Sequence, residues 1–156
     1  MMENNGLENL SKLLEDSSSA SLLTDDNIST LYGIAYQLYS HGKYEDARQF
    51  FRFLTIARPF DRRFWMGLAA SYQMQKNYPA AIECYSVAAI QEPTDPYVHW
   101  HAATCFFASE QTDKGLQALD SALGSATKES HSGLISQIEL LQQAWSGASN
   151  NNRGER

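Results

Sequence analysis

Catalysis and metal binding need acids, bases, nucleophiles or ligands that converge on one point. This chain offers four histidines, two cysteines and scattered carboxylates. His99 and His101 stand two apart inside a helical pattern, so their side chains diverge by about 200° rather than meeting as an i, i+4 ligand pair would. Cys84 and Cys105 also fall inside helical patterns. Two cysteines make neither a disulfide framework nor a zinc site, and both read as buried free thiols. The chain carries no Gly-rich phosphate loop and no nucleophile elbow. These residues predict no catalytic set, no metal and no cofactor, hence a protein that is not an enzyme.

The side chains whose spacing does stand out are apolar and aromatic. Three triplets share the spacing i, i+4, i+7: Tyr32, Tyr36 and Tyr39; Met66, Ala70 and Gln73; Trp100, Thr104 and Phe107. Each lies beside a second apolar stripe (Leu31, Ala35 and Leu38; Trp65, Ala69 and Tyr72; His99, Ala103 and Phe106). The apolar arc of these helices is therefore wider than packing on one neighbour requires. One reading is that the triplets complete the core. The other is that they form the pockets and floor of a binding channel, as clustered aromatics at interaction sites do. Recurrence at fixed positions with widely different side-chain sizes favours the channel.

The elements that must position these residues follow from an internal period of 34. Tyr44 and Tyr78, Ala47 and Ala81, Phe51 and Tyr85, Leu54 and Ala88, and Pro59 and Pro93 are each separated by that number. Such a period marks stacked helix-turn-helix units, here 28–61, 62–95 and 96–129. Small residues recur where helices must cross closely (Ala35, Ala69 and Ala103; Ala47 and Ala81; Ala88 and Ala122), and with them the chain resembles the tetratricopeptide (TPR) family. The fold class is all-α, and the resemblance implies that the triplets line a concave groove. The third repeat departs from the pattern, with Thr112, Gly115 and Thr127 where the first two carry Tyr, Ala and Pro, and is expected to be looser.

Local chemistry agrees with the repeat boundaries. Asp61 and Asp95 are placed to cap the helices that follow, Pro79 and Pro96 to open helices, and Gly42 to end one. Leu134, Ile138, Leu141 and Trp145 share one face, predicting an amphipathic capping helix over 130–145 that covers the open end of the stack. Residues 146–156 lack apolar periodicity and read as a disordered tail. At the front, 1–27 reads as a short helical segment with Leu7, Leu10 and Leu14 on one face, followed by a Ser-rich joint, Ser17 to Ser21. So short a helix needs a partner surface, either the repeats or a second copy of the chain.

Composition narrows the partner. The chain of 156 residues is 43% hydrophobic with a net charge of −6, enough apolar content for one packed domain but a field that repels phosphate backbones. Nucleic acid is disfavoured. The amino terminus has neither the basic start nor the apolar run of a signal peptide, and no stretch approaches membrane-spanning length. A soluble, cytoplasmic protein without membrane contact is expected.

A closer resemblance lies in GKYEDA (42–47), FFRFL (50–54) and RFWMGLAA (63–70). The stretch Leu31 to Ala103 is similar to the class II chaperones of bacterial type III secretion. That resemblance implies a chaperone for hydrophobic translocator proteins, holding a short extended motif of the form Pro-x-Leu-x-x-Pro in the groove. Six extended residues span roughly 20 Å, a length that suits three helix pairs. It implies groove roles for Tyr32, Tyr36 and Tyr39, and repeat geometry extends the set to Met66, Gly67, Ala70, Gln73, Trp100, Thr104 and Phe107. The Lys, Arg and Asn clamp by which other TPR domains hold acidic chaperone tails is replaced here by Tyr32, Tyr36, Gly67, Tyr97 and His101. Arg62 and Arg63 read as a solvated turn, with an acidic flank of the partner as the alternative. Two other functions stay open: a scaffold joining folded partners, and a co-regulator acting through a transcriptional activator rather than on DNA.

Overall fold

The computed structural model describes residues 23–151, which form seven helices. In chain order these are α1 (Asp25–Ser40), α2 (Tyr44–Ala57), α3 (Arg62–Met74), α4 (Tyr78–Gln91), α5 (Pro96–Ala108), α6 (Thr112–Ser125) and α7 (Lys128–Asn151). Each helix packs chiefly on the next, with an added contact between α1 and α3. This nearest-neighbour arrangement is that of a solenoid: three antiparallel pairs, α1/α2, α3/α4 and α5/α6, closed by α7.

The small residues are where the pairs meet. Ala35, Ala69, Ala103, Ala47, Ala81, Ala88 and Ala122 are all fully buried, because a larger side chain at any of them would push two helix axes apart. Helix starts are capped as the residue types demand. Asp61 accepts from the Arg63 amide, Asp95 from the Tyr97 amide and Asn77 from the Ala80 amide. Thr24 does the same for α1 through the Asn27 amide, so that helix starts at Asp25, three residues earlier than the repeat boundary at 28. Leu7, Leu10, Leu14 and the Ser-rich joint lie outside the described residues.

Two features of the repeat were not legible from Gly42 and the prolines alone. The turn inside each pair is closed by a residue in the left-handed region, at Gly42 (φ 76°), Lys76 (φ 61°) and Glu110 (φ 61°), again 34 apart. At each, the following amide reaches back to the carbonyl five residues earlier: Lys43 to Leu38, Asn77 to Tyr72 and Gln111 to Phe106. This terminal loop satisfies carbonyls the helix leaves open. The turn between pairs is bound by its proline carbonyl. Trp65 Nε1 and Gln91 Nε2 both donate to Pro59 O at 2.8 Å, while His99 Nε2 (3.1 Å) and Ser125 Oγ (3.4 Å) take the same places at Pro93 O. His99 is thus a structural residue of the seam.

The third repeat is not loosened by its departures. Gly115 is buried, and a Cβ there would overlap the Phe107 ring. The lost methyl makes room for that ring, and α5 and α6 pack as extensively as the other pairs. The backbone of α7 breaks at His131 (φ −133°, ψ 25°), whose Nδ1 accepts from the Thr127 amide at 3.2 Å. The helix then runs on to Asn151. The reading of 146–156 as a disordered tail is corrected for 146–151: the stretch holds no proline, and a helix already nucleated by Leu134, Ile138, Leu141 and Trp145 propagates through weak formers at little cost per residue. Residues 152–156 lie outside the described set.

Candidate functional site: the concave groove

The inner helices α1, α3 and α5 stand side by side, and a cleft of about 320 Å³ opens between them. One wall is the tyrosine row of α1. Tyr32, Tyr36 and Tyr39 fall on successive turns and project inward. Tyr36 is the most open, at 59% exposure, with its ring 6.5 Å from that of Tyr32. Tyr32 is braced edge-on by Phe51 (6.2 Å) and at a tilt by Phe64 (5.5 Å), and Tyr39 edge-on by Tyr44 (5.3 Å). Burial, then the neighbouring Tyr44 and Tyr36, raises the Tyr39 hydroxyl above its ordinary pKa, so that hydroxyl is uncharged at neutral pH.

The opposite wall is α3, through Met66, Gly67 and Ala70. Gly67 is there because of packing: a Cβ would overlap the Phe51 ring, which reaches from α2 to the floor of the cleft. The far end is closed by Tyr85 of α4 and His101 of α5, whose rings stack at 5.6 Å and 10°. Behind them a polar chain locks the geometry. Tyr85 OH donates to Gln73 Oε1 (2.8 Å), Gln73 Nε2 to Thr104 Oγ1 (3.0 Å), and Thr104 Oγ1 to the His101 carbonyl (2.7 Å).

Six of the ten residues expected in the groove line it together: Tyr32, Tyr36, Tyr39, Met66, Gly67 and Ala70. The other four do not. Gln73 and Thr104 are the bonded struts just described. Phe107 is buried in a second core cluster, stacked on Trp145 at 4.5 Å and 6°, and Trp100 packs against the same cluster half-buried. The reason is the neighbour. The face that looks onto the cleft in α1 and α3 packs in α5 against Leu134, Ile138 and Trp145 of the capping helix α7.

Phe51 and Tyr85 were missed, and Arg62, Arg63 and His101, named in the sequence but left out of the expected set, line the cleft with them. The period contained the signal: Phe51 and Tyr85 are one repeat position, and Gly67 and His101 another. Arg62 and Arg63 are not merely a solvated turn. Arg62 is ion-paired with Asp95. Arg63 grips Asp61 through Nε (3.0 Å) and Nη2 (2.7 Å) and lies over the Tyr32 ring at 5.3 Å. Those bonds hold the Asp61 carboxyl below its ordinary pKa. The arginines also form part of an adjoining cavity of about 540 Å³, beside Arg58 and the 91% exposed Phe60. Because Arg58, Arg62 and Arg63 are each paired with a carboxylate (Asp25, Asp95, Asp61), this end of the groove has little uncompensated charge.

Elsewhere, Cys84 and Cys105 are buried free thiols whose pKa burial pushes up to about 11, which leaves them unreactive at neutral pH. Among the described residues no group of three His, Cys, Asp or Glu side chains is placed to hold a metal. None of the described helices is long and apolar enough to cross a membrane.

A capped helical solenoid with an aromatic concave cleft defines a helical repeat protein, and the tetratricopeptide repeat model matches residues 32–96. The low calcium response locus protein H of Yersinia pestis is 31% identical over 125 residues, covering 77% of this chain and 74% of that protein. The chain belongs to the family of that protein, the tetratricopeptide translocator chaperones of type III secretion. Among solved structures, the secretion chaperone SycD of Yersinia enterocolitica in complex with a peptide of the translocator YopD superposes with a TM-score of 0.77. It is 29% identical, over 81% of this chain and 97% of that one. PcrH of Pseudomonas aeruginosa, in complex with the chaperone binding region of PopD, gives 0.78 at 26% identity, over 81% and 96%.

Proposed function

We propose that this chain is a bacterial cytoplasmic chaperone, without catalytic activity, that holds an extended apolar segment of a type III secretion translocator in the cleft between α1 and α3. The observation that carries this is the pairing of walls: the Tyr32, Tyr36 and Tyr39 row faces a floor kept shallow by Gly67 and Ala70. Aromatic faces suit proline, and alternate side chains of an extended strand reach successive pockets. A translocator made before export exposes apolar segments that aggregate or insert into membranes, and a bound chaperone lowers the free concentration of that species. The likeness to SycD with its YopD peptide and to PcrH with PopD supports the same partner class. Self-association through the amino-terminal segment is part of this reading. Its test is light scattering on the chain lacking residues 1–21, where an unchanged mass would discard it.

The groove itself is tested by titrating a labelled Pro-x-Leu-x-x-Pro peptide into the full chain. Ala70→Trp places a ring where the peptide backbone must approach, at a position facing the cleft rather than the Ala69 crossing. The expected result is loss of binding with an unchanged melting curve. Near-normal affinity would move the site elsewhere. Capture of the tagged chain from its native cytoplasm should bring down a hydrophobic exported protein, and recovery of only folded assembly partners would favour a scaffold.

A further inference from the structure

An extended segment laid in this cleft brings its own main-chain N–H and C=O groups out of water, and each left unpaired costs about 1–3 kcal/mol. The α3 side and the floor cannot pair them: Met66, Gly67, Ala70 and Phe51 present no side-chain polar hydrogen, and hydroxyls stand only on the facing tyrosine row. The Tyr85 hydroxyl is committed to Gln73 and the Arg63 fork to Asp61. His101 differs from all of these. Its ring nitrogens make no hydrogen bond among the described residues. They are not sealed in protein either, and the residue lines the cleft.

The ring is also fixed in place. It stacks on Tyr85, whose hydroxyl is held by Gln73, which is held by Thr104, whose hydroxyl bonds the His101 carbonyl. The stack on the anchored Tyr85 ring restrains the plane of the imidazole before any partner arrives, which reduces the rotamer freedom lost on binding. Burial holds the imidazole below its ordinary pKa, opposed by the nearby Asp95 carboxylate, which is itself paired with Arg62. At neutral pH the ring is therefore uncharged, with one donor and one acceptor, the complement of a peptide unit.

We propose that His101 hydrogen-bonds the main chain of the bound segment and thereby sets its register, fixing which side chains fall against the tyrosine row. This rests on the groove reading above. It assigns the residue a positioning role that the apolar floor cannot supply.

The test uses the full chain and the labelled Pro-x-Leu-x-x-Pro peptide, together with a set of the same peptide in which each amide in turn is replaced by an ester. An ester removes one N–H and weakens one acceptor. In the natural chain one ester position should stand out as weaker than the rest. His101→Phe keeps a ring to stack on Tyr85 but no nitrogen; it should melt normally, bind the all-amide peptide about ten-fold more weakly and lose the sensitivity to that one ester. His101→Asn should recover part of the affinity. A measurement on the unaltered protein is independent of how the variants fold: on peptide addition, the imidazole ¹⁵N resonances of His101 should shift while those of His41, His99 and His131 stay. The proposal is overturned if His101→Phe binds within two-fold of the natural chain, if the ester profile is the same in both, or if the His101 resonances do not move at saturation. Failure of Ala70→Trp to block the same peptide would overturn the groove reading instead, which separates the two.

Discussion

The aromatic stripe of the first repeat and that of the third occupy the same repeat positions and meet opposite fates. Tyr39 is half-buried on the wall of an open cleft, whereas Phe107, at the same position two repeats later, is 6% exposed and stacked on Trp145. Nothing in the two side chains dictates the difference. The inner face of each first helix looks toward the next one along the stack; for α1 that neighbour is α3, set back by the small residues Gly67 and Ala70, and for α5 it is α7, which brings Leu134, Ile138 and Trp145. A repeat position therefore specifies a direction, and the element found in that direction decides between binding and packing.

The comparison breaks most sharply at Phe107. Phe107→Ala should cost about 3–5 kcal/mol, the range for emptying a buried aromatic site, seen as a large drop in the melting temperature, while the protein still folded at low temperature keeps its peptide affinity. If affinity falls and stability holds, Phe107 belongs to the groove after all. Tyr36→Ala is the mirror experiment. About 2 kcal/mol of binding should be lost if the ring is an anchor, with the melting curve little changed because the side chain is already largely in water.

The volume exchange in the third repeat gives a sharper test of packing. Gly115→Ala should cost about 1–3 kcal/mol by crowding the Phe107 ring, and Phe107→Leu in the same chain should recover part of the loss in a double-mutant cycle. An additive result would mean that the two positions do not share one space. Salt should matter little to binding, since Arg58, Arg62 and Arg63 are already paired and the cleft is mostly apolar. Affinity that falls steeply between low and moderate ionic strength would show instead that the arginines meet an acidic flank. The smallest effect is expected at the turns: Lys76→Gly relieves a side chain held at φ 61° and should raise the melting temperature by a few degrees, equivalent to about 0.5–1 kcal/mol. Gly42→Ala should lower it.

The sequence by itself determined the architecture, because the period is a property of spacing. Once Ala35, Ala69 and Ala103, and Tyr44 and Tyr78, recur every 34 residues, only stacked helix pairs place them consistently. The caps at Asp61 and Asp95 and the tyrosine row of the groove are equally local, since side-chain type and helical phase suffice to name them. The turn conformation at Lys76 and Glu110 was inferable from Gly42 by the same period, yet residue type masked it.

Only the tertiary structure decided which members of a repeated stripe remain available. Gln73 and Thr104 look like groove residues until the bonds between them and to Tyr85 show that they hold two helices together. His101 looks like a surface histidine until its ring is found stacked on Tyr85 at the end of the cleft. Trp100 and Phe107 look like anchors until α7 covers them. The physical reason is common to all: periodicity fixes the direction in which a side chain leaves its helix, whereas burial and hydrogen bonding depend on what the other helices place along that direction, and that is set by contacts between residues far apart in the chain.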